Sequence, residues 1–524
     1  MADAQTVSTA KDFRITTGTP YHVIDGFKNY FVQGSTLLTF KIDGGKIFVQ
    51  KIDLKTMREI SVREVTDFPG KYLYEGAVQS KEKVSILYSI YDKSKKTNEL
   101  YARDLDFKIG NFNGPGYKLL TAEGEMSKYG DRFQLNSSFD STMFTVRYRL
   151  KPEKVNDDKN YDKIGLFVFR YDNGLKLVGG KTHTMPYTEA KMDELGFTVD
   201  SRGNTYLLAK VYEGEKKRVK DDEGFVLYTL EMIKFDVATQ EMTKSKLVLP
   251  ERHIASIDLK ETNDQQMLAV GYFANGSRKE IGVDGVFFAK VNAAGELTNM
   301  KSYEIPLEIL NQNATKRELK NNKKKEEKDG KGAQLANLLY DDIEIYPDGS
   351  MLIVGEQFHV VVHTVSNGKT TSTYYTYHYD DILATRIAAD GSLLWMKRLP
   401  KEQRGGAAVG GMSYKLIRTN NSFYFLYLDN LKNLNLPADQ DPETHVDGQG
   451  GFLTSYKIDD ITGKVTKLSI FDMRDVGGIE VFQFSPRRLF QSAPGEFMTE
   501  VYKKKKEDIL IKITLTEKSK EEKN

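Results

Sequence analysis

The sequence predicts an all-β chain folded as an eight-bladed β-propeller, with seven blades as the alternative, its ring closed by an N-terminal strand that pairs with the last blade. Three observations predict it. A short phrase recurs along the whole chain, a second recurrent phrase precedes most of its copies, and almost no stretch carries the 3.6-residue apolar period of a helix. Four short strands per repeat with no crossover helices leave a ring of antiparallel sheets as the natural solution.

The first phrase is an apolar alternation, a polar residue, an apolar residue, Asp or Asn, a turn, and a second alternation. Its copies are VQKIDLKTMREISV around Asp53, LYARDLDFKIGNF around Asp104, VFRYDNGLKLVGG around Asp172 and MIKFDVATQEMTKSKLVL around Asp236. FAKVNAAGELTNMKSYEI around Asn292, ATRIAADGSLLWMKRL around Ala388, SYKIDDITGKVTKLSIF around Asp459 and LIKITLTEK around Thr514 complete the set. Their mean spacing of about 66 residues exceeds the roughly 40 to 50 of common propeller repeats, so the excess belongs in loops. The second phrase is a turn followed by a period-2 run, as in NSSFDSTMFTVRY, VDSRGNTYLLAKVY, YPDGSMLIVGEQF and SAPGEFMTEVY. Each reads as a hairpin. One unit therefore holds strands A to D, with A and B around the second phrase and C and D around the first.

The last copy runs into a polar tail, residues 517–524, with nothing left to make strand D. Residues 6–17, with apolar Val7, Phe13 and Ile15, are predicted to fill that place beside residues 507–515, leaving no unpaired edge there. Residues 1–516 are then one domain, interrupted by a Lys-rich insert at 307–336. Between Lys316 and Lys331 there are eight Lys or Arg against four acids, and no aromatic residue. That composition predicts a solvated helix followed by a loop.

A resemblance can be placed on two of these phrases. ADGSLLWMKRLP, residues 389–400, resembles the tryptophan-containing turn and strand of PQQ-like propeller repeats, and YPDGSMLIVG, residues 346–355, resembles related bacterial propeller repeats. The resemblance implies architecture alone. A quinone cofactor does not carry over, because the adjacent cysteines familiar from quinoprotein alcohol dehydrogenases have no counterpart in a chain without cysteine. The Lys, Asn and Tyr-rich, cysteine-free character is similar to exported proteins of Bacteroidota. A periplasmic or extracellular protein is the location this implies, with its signal peptide outside the present sequence, since MADAQTVSTAKDF has neither basic start nor apolar stretch.

Composition excludes several classes. With 76 Lys and Arg against 74 Asp and Glu, the net charge of +2 is too balanced for a protein whose main partner is nucleic acid. No run of 18 uncharged apolar residues is present, so membrane insertion is not expected. Zero cysteines exclude disulfides, thiolate metal sites and cysteine nucleophiles.

The A to B and C to D turns are short, whereas the B to C connections are long, at residues 150–163, 213–224, 274–284, 357–380 and 430–451. In an up-and-down blade these long loops share one face, and loops on a rigid scaffold carry function. The 357–380 segment, QFHVVVHTVSNGKTTSTYYTYHYD, reads as a hairpin turning at Asn367 and Gly368. With Ser366 opposite Lys369, His359 faces Thr376, and His359, His363 and His378 share one side of the ribbon with Tyr374. Phe358, Val360, Val362, Tyr375, Tyr377 and Tyr379 take the other, packing on a neighbour. His359 and His363 lie about 13 Å apart along a strand, too far to share an ion, which leaves His359 with His378 as the metal-capable pair.

The 430–451 loop places Asp439, Asp441, Glu443 and Asp447 at near-alternate positions. Calcium would suit them, but the sixth position of an EF-hand loop is Thr444 and the terminal Glu is missing, so no cofactor is predicted. Residues 404–414 lack the Lys-Ser/Thr pair of a phosphate loop and read as a loop into the next A strand. No nucleophile elbow or comparable catalytic set is present. The expected function is a noncatalytic recognition or assembly scaffold of the cell envelope, as a component of a larger complex. It would hold a protein or glycan through His359, His378, Tyr375, Tyr377, Asp439, Asp441 and Asp447. A propeller hydrolase or lyase acting on carbohydrate is the alternative.

Overall fold

The computed structural model describes residues 6–7, 11–80, 83–126, 132–151, 161–172, 174–214, 219–220, 226–250, 252–275, 282–312, 319–320, 323–324, 327, 334–366, 370–406, 410–436, 440–503 and 505–516. They are almost wholly β, in many small antiparallel sheets. No described helix is long and apolar enough to cross a membrane. The chain divides into two compact units, Met1–Thr66 with Ile305–Glu344 and Ser350–Asn524, and Asp67–Glu304 with Ile345–Gly349.

In the second unit, each of the four-stranded sheets takes its strands in chain order, the last one passing over the short strand Gly282–Val283. They are Leu73–Gln79 to Asn111–Glu123, Gln134–Ser137 to Gly174–Thr188, Met192–Val199 to Met242–Leu247, and His253–Glu261 to Leu297–Glu304. The second strand of the last sheet, Met267–Ala274, is a continuous apolar run buried at every position.

The first unit repeats the pattern over Phe27–Gln33 to Arg58–Val65, Leu338–Ile345 to Leu393–Leu399, and Lys415–Arg418 to Val465–Asp472. Its sheet at the chain ends has seven strands, Val481–Gln483, Leu489–Ala493, Glu496–Lys503 and Glu507–Leu515 from the end of the chain and Phe13–Thr17, Tyr21–His22 and Thr6–Val7 from the start. Phe13 lies opposite Leu515, Ile15 opposite Ile513, and Thr17 opposite Ile511. Just before the Phe13–Thr17 strand, the Asp12 carbonyl accepts from the Thr516 amide at 3.0 Å and the Lys11 carbonyl from Thr516 Oγ1 at 2.5 Å. Thr6–Val7 turns back to pair outside it, Val7 opposite Ile15.

The recurrent acidic phrase is a turn device between the third and fourth strands. Asp53 accepts from Thr56 Oγ1 at 2.7 Å, Asp236 from the Ala238 amide at 3.0 Å, and Asp459 from the Thr462 amide at 2.8 Å. A short carboxylate side chain caps the amides that the turn leaves open. In the second copy this residue is Asp106, which accepts from the Lys108 amide at 2.7 Å, and not Asp104, whose carboxylate takes the Ser85 hydroxyl at 2.6 Å from within a strand. Trp395 is buried, donating its indole N–H to the Asp460 carbonyl at 2.8 Å. Gly463, at φ +65°, lies so close to it that a Cβ would sit 2.6 Å from Trp395 Cγ.

Within the Lys-rich insert, residues 319–320, 323–324 and 327 are helical and exposed, and a short helix, Leu307–Leu310, opens the segment. A two-residue strand, Leu335–Ala336, closes it, and residues 313–318, 321–322, 325–326 and 328–333 lie outside the described residues.

A buried ionic cluster locks the first sheet to the one that joins the two ends. Glu500, fully buried, accepts from Lys41 Nζ at 2.6 Å, Tyr21 OH at 2.8 Å and Tyr30 OH at 2.8 Å. Lys28 Nζ lies 3.1 Å from Glu500 and 2.7 Å from Asp508. Burial alone would raise the Glu500 carboxyl, but the Lys41 and Lys28 ammoniums and the hydrogen bonds overcome it and hold it down at about 2, against the ordinary 4.5. Burial and the Glu500 charge push Asp508 the other way. A carboxylate held below its unfolded value contributes stability that is complete above about pH 4.5 and drains away as pH falls toward 2. Glu500→Gln should therefore destabilise the protein by about 3 to 5 kcal/mol near neutrality, the cost of leaving buried ammoniums without their partner. Urea unfolding as a function of pH should show a shallower acid limb in the variant than in the wild type. Parallel acid limbs would show that Glu500 carries none of the dependence.

Candidate functional site

Two strands of the first unit are far longer than their sheet requires. Met351–Ser366 and Thr371–Ile387 span 16 and 17 residues, against the 7 of the Leu393–Leu399 strand beside them. The start of the first and the end of the second lie in the sheet, where Ile382–Ile387 pairs with Leu393–Leu399, and the remainder projects as a two-stranded ribbon. Ser366 lies opposite Thr371, not Lys369, so the register is two residues from the one the Asn367–Gly368 turn suggested. A slip of two preserves which side each residue faces. It does change the partners, setting His359 directly opposite His378, His363 opposite Tyr374, and Val362 opposite Tyr375.

The register breaks between Glu356 and Phe358, where Asp380 and Asp381 share the space opposite Gln357. This bulge turns the two acids to opposite sides. Asp381 accepts from Arg398 Nε at 2.5 Å and the Lys401 amide at 2.9 Å. Asp380 joins the histidine side, its Oδ2 lying 3.4 Å from His359 Nδ1.

The ribbon is braced from the side. Gln403–Gly405, read from sequence as the start of a loop, is a strand that pairs with the ribbon, Arg404 opposite His378. His445–Val446, inside the 430–451 loop, pairs parallel to it in turn. The two long B to C connections of this unit are thus one hydrogen-bonded sheet. Beneath it lies a buried polar base. Lys401 Nζ sits 2.8 Å from Glu356 Oε1 and donates to the Tyr379 carbonyl at 2.8 Å. Ser413 Oγ donates to Glu356 Oε2 at 2.7 Å, and Gln403 Nε2 to the Leu428 carbonyl at 2.7 Å. Burial pushes the Glu356 carboxyl up, opposed by Lys401.

The sides of the ribbon differ in chemistry. On one, the His359 and His378 rings stack at 4.4 Å with planes 13° apart, and the His363 ring stacks on Tyr374 at 4.5 Å. Burial, then the neighbouring His359 and Arg404 charges, lowers His378, and burial pushes Asp380 up to about 7. On the other, Phe358 and Tyr379 pack together at 4.9 Å. The expectation that this whole side packs on a neighbour fails beyond that pair. Val360, Val362 and Tyr375 remain 39%, 57% and 49% exposed, and Tyr377 is half-buried.

Of the acidic-loop residues, Asp439 lies outside the described residues and Asp441 is exposed. Asp447 Oδ1 accepts from the Gly411 amide at 2.9 Å on the wall of a cavity of about 330 Å³, which Arg488 and Phe484 also line. Sequence reasoning missed Asp380, Lys401 and Glu356. The paired acids closing the ribbon's alternation were the available sign of a bulge. Loops 150–163, 213–224 and 274–284 lie largely outside the described residues.

The second unit holds a cavity of about 520 Å³ lined by Tyr187, Tyr212, Glu231 and Lys244. Tyr187 OH donates to Glu231 Oε2 at 2.7 Å and accepts from Lys244 Nζ at 2.7 Å. Burial leads in raising the Tyr187 phenol above its ordinary value, so it is a neutral hydroxyl and a poor base near pH 7.

No family model matches the sequence, and no curated protein does. Among solved structures the chain is similar to the polysaccharide lyase Uly1, at 9% identity and a TM-score of 0.35, covering 99% of this chain and 100% of that one. It is also similar to the WD40 domain of SCAP from fission yeast, at 8% identity and a TM-score of 0.39, covering 98% and 97%. The β-propeller domain of the Trilobed protease from Pyrococcus furiosus matches at 10% identity and a TM-score of 0.32, covering 85% and 96%. These are likenesses of form and carry no function across. Neither a PQQ-like repeat nor a Bacteroidota origin gains a match among them.

Lys401→Ala should destabilise the protein by about 3 to 5 kcal/mol in urea unfolding, because it strands the Glu356 carboxylate in the base of the ribbon. Adding Glu356→Gln should recover a large part of that loss. A double variant no more stable than the single one would show that lost packing, not the stranded charge, is responsible.

Proposed function

We propose that the chain is an eight-bladed β-propeller whose ring is closed by Phe13–Thr17, and that it serves as a noncatalytic recognition scaffold of the cell envelope, binding a partner protein through the ribbon at 357–380. The register of Phe13–Thr17 against Ile511–Leu515 supports the closure. The observation that carries the recognition reading is the ribbon's exposed apolar side. Val360, Val362 and Tyr375 stand in solvent on a ribbon that continues two core strands and is braced near its base at Tyr377–Tyr379, which limits the ordering entropy lost on binding. Aliphatic valines beside tyrosine suit the apolar side chains of a protein, whereas sugars take flat aromatic faces.

Val362→Asp combined with Tyr375→Ser tests the reading at the centre of the exposed side. Both positions are solvent-facing, so the folding free energy should change by no more than about 0.5 kcal/mol each. Cross-linking mass spectrometry of the full chain in an extract of its source cells should link a protein to ribbon residues in the wild type and lose that link in the variant. An unchanged link would overturn the ribbon assignment. Glycan-array binding that the variant loses would move the partner to carbohydrate, and turnover of an arrayed glycan would replace the scaffold with an enzyme.

A further inference from the structure

The ribbon's other side carries a different chemistry. Cross-strand pairing puts His359 and His378 directly opposite, and the bulge adds Asp380 to the same side. The ligand atoms of these three residues all lie within 4.8 Å of one another, the one such set of three found among the described residues. Asp380 Oδ1 is buried and accepts no hydrogen bond there, which leaves an acceptor facing no donor.

We propose that His359, His378 and Asp380 form a binding site for a divalent transition metal of the zinc class. Two imidazoles and one carboxylate are the donor set of zinc and its neighbours, whereas calcium and magnesium take oxygen alone. Bonds of 2.0 to 2.1 Å in tetrahedral geometry put donor atoms about 3.4 Å apart. Closing the set onto an ion therefore needs only side-chain rotation by about an ångström on a backbone already in register. The ion would replace a stacked pair of imidazoles and an unsatisfied carboxylate oxygen with three ligand bonds, and a remaining position would stay open to water. Arg404, in register beside His378, and Lys401, whose ammonium acts on Asp380 from the base of the ribbon, are cationic neighbours that oppose binding without blocking it. His363, on the same side but bonded through Nε2 to Thr376 Oγ1 at 2.9 Å, is not part of the set. The site is independent of what the apolar side binds.

Titration of the chelator-treated full chain with zinc chloride by calorimetry should show one site per chain, with a zinc-dependent rise in Tm. His378→Ala and Asp380→Asn should each weaken it by more than about tenfold and abolish the Tm rise. His363→Ala should leave both unchanged. Circular dichroism of the metal-free variants, matching the wild type, guards against simple misfolding. A wild-type chain that takes up no zinc would overturn the site, as would His363→Ala losing as much affinity as His378→Ala.

Discussion

The first unit depends on a buried carboxylate. Glu500 receives two ammoniums and two phenols in a place without water, from strands nearly five hundred residues away in sequence. An unpaired charge there would be prohibitive, so the strands that carry Lys28 and Lys41 and the strand that carries Glu500 have one mutual arrangement that satisfies all of them. The strand pairing of Phe13–Thr17 with Ile511–Leu515 acts in the same unit, supplying backbone hydrogen bonds where the last sheet would otherwise end on an open edge. Apolar contact supplies cohesion between the sheets; these polar groups supply selectivity.

The same device recurs under the ribbon. Lys401, Glu356, Gln403 and Ser413 are buried and mutually bonded where the two long strands leave their sheet. A two-stranded ribbon is marginal on its own in water. Here it continues two core strands, and the Gln403–Gly405 and His445–Val446 strands widen it to four near its base. Rigid backbone with apolar side chains on one side and titratable groups on the other is what lets a single element offer two distinct surfaces.

The recurrent Asp and Asn turns, the hairpin phrases and the apolar alternation made the sheets legible, because each depends on residues within about twenty positions of one another. The site was legible only in part. His359 and His378 were singled out, and the side each faces followed from period-2 alternation alone. Their direct opposition did not, since the Asn367–Gly368 turn suggested a register two residues away. Asp380 could not be placed without the bulge, and a bulge is decided by how Asp381 is held by Arg398 and the Lys401 amide, contacts made from the neighbouring strand and its continuation.

By itself the sequence determined the local β units, their turns and the polarity of the ribbon's two sides, because these follow from side-chain chemistry acting over a few residues. Tertiary structure alone decided the partnership of Glu500 with Lys41, the strands that brace the ribbon, and the convergence of His359, His378 and Asp380. Each of those is a choice among many chemically acceptable partners, and burial made it, by penalising every arrangement that leaves a charge or a backbone amide unpaired.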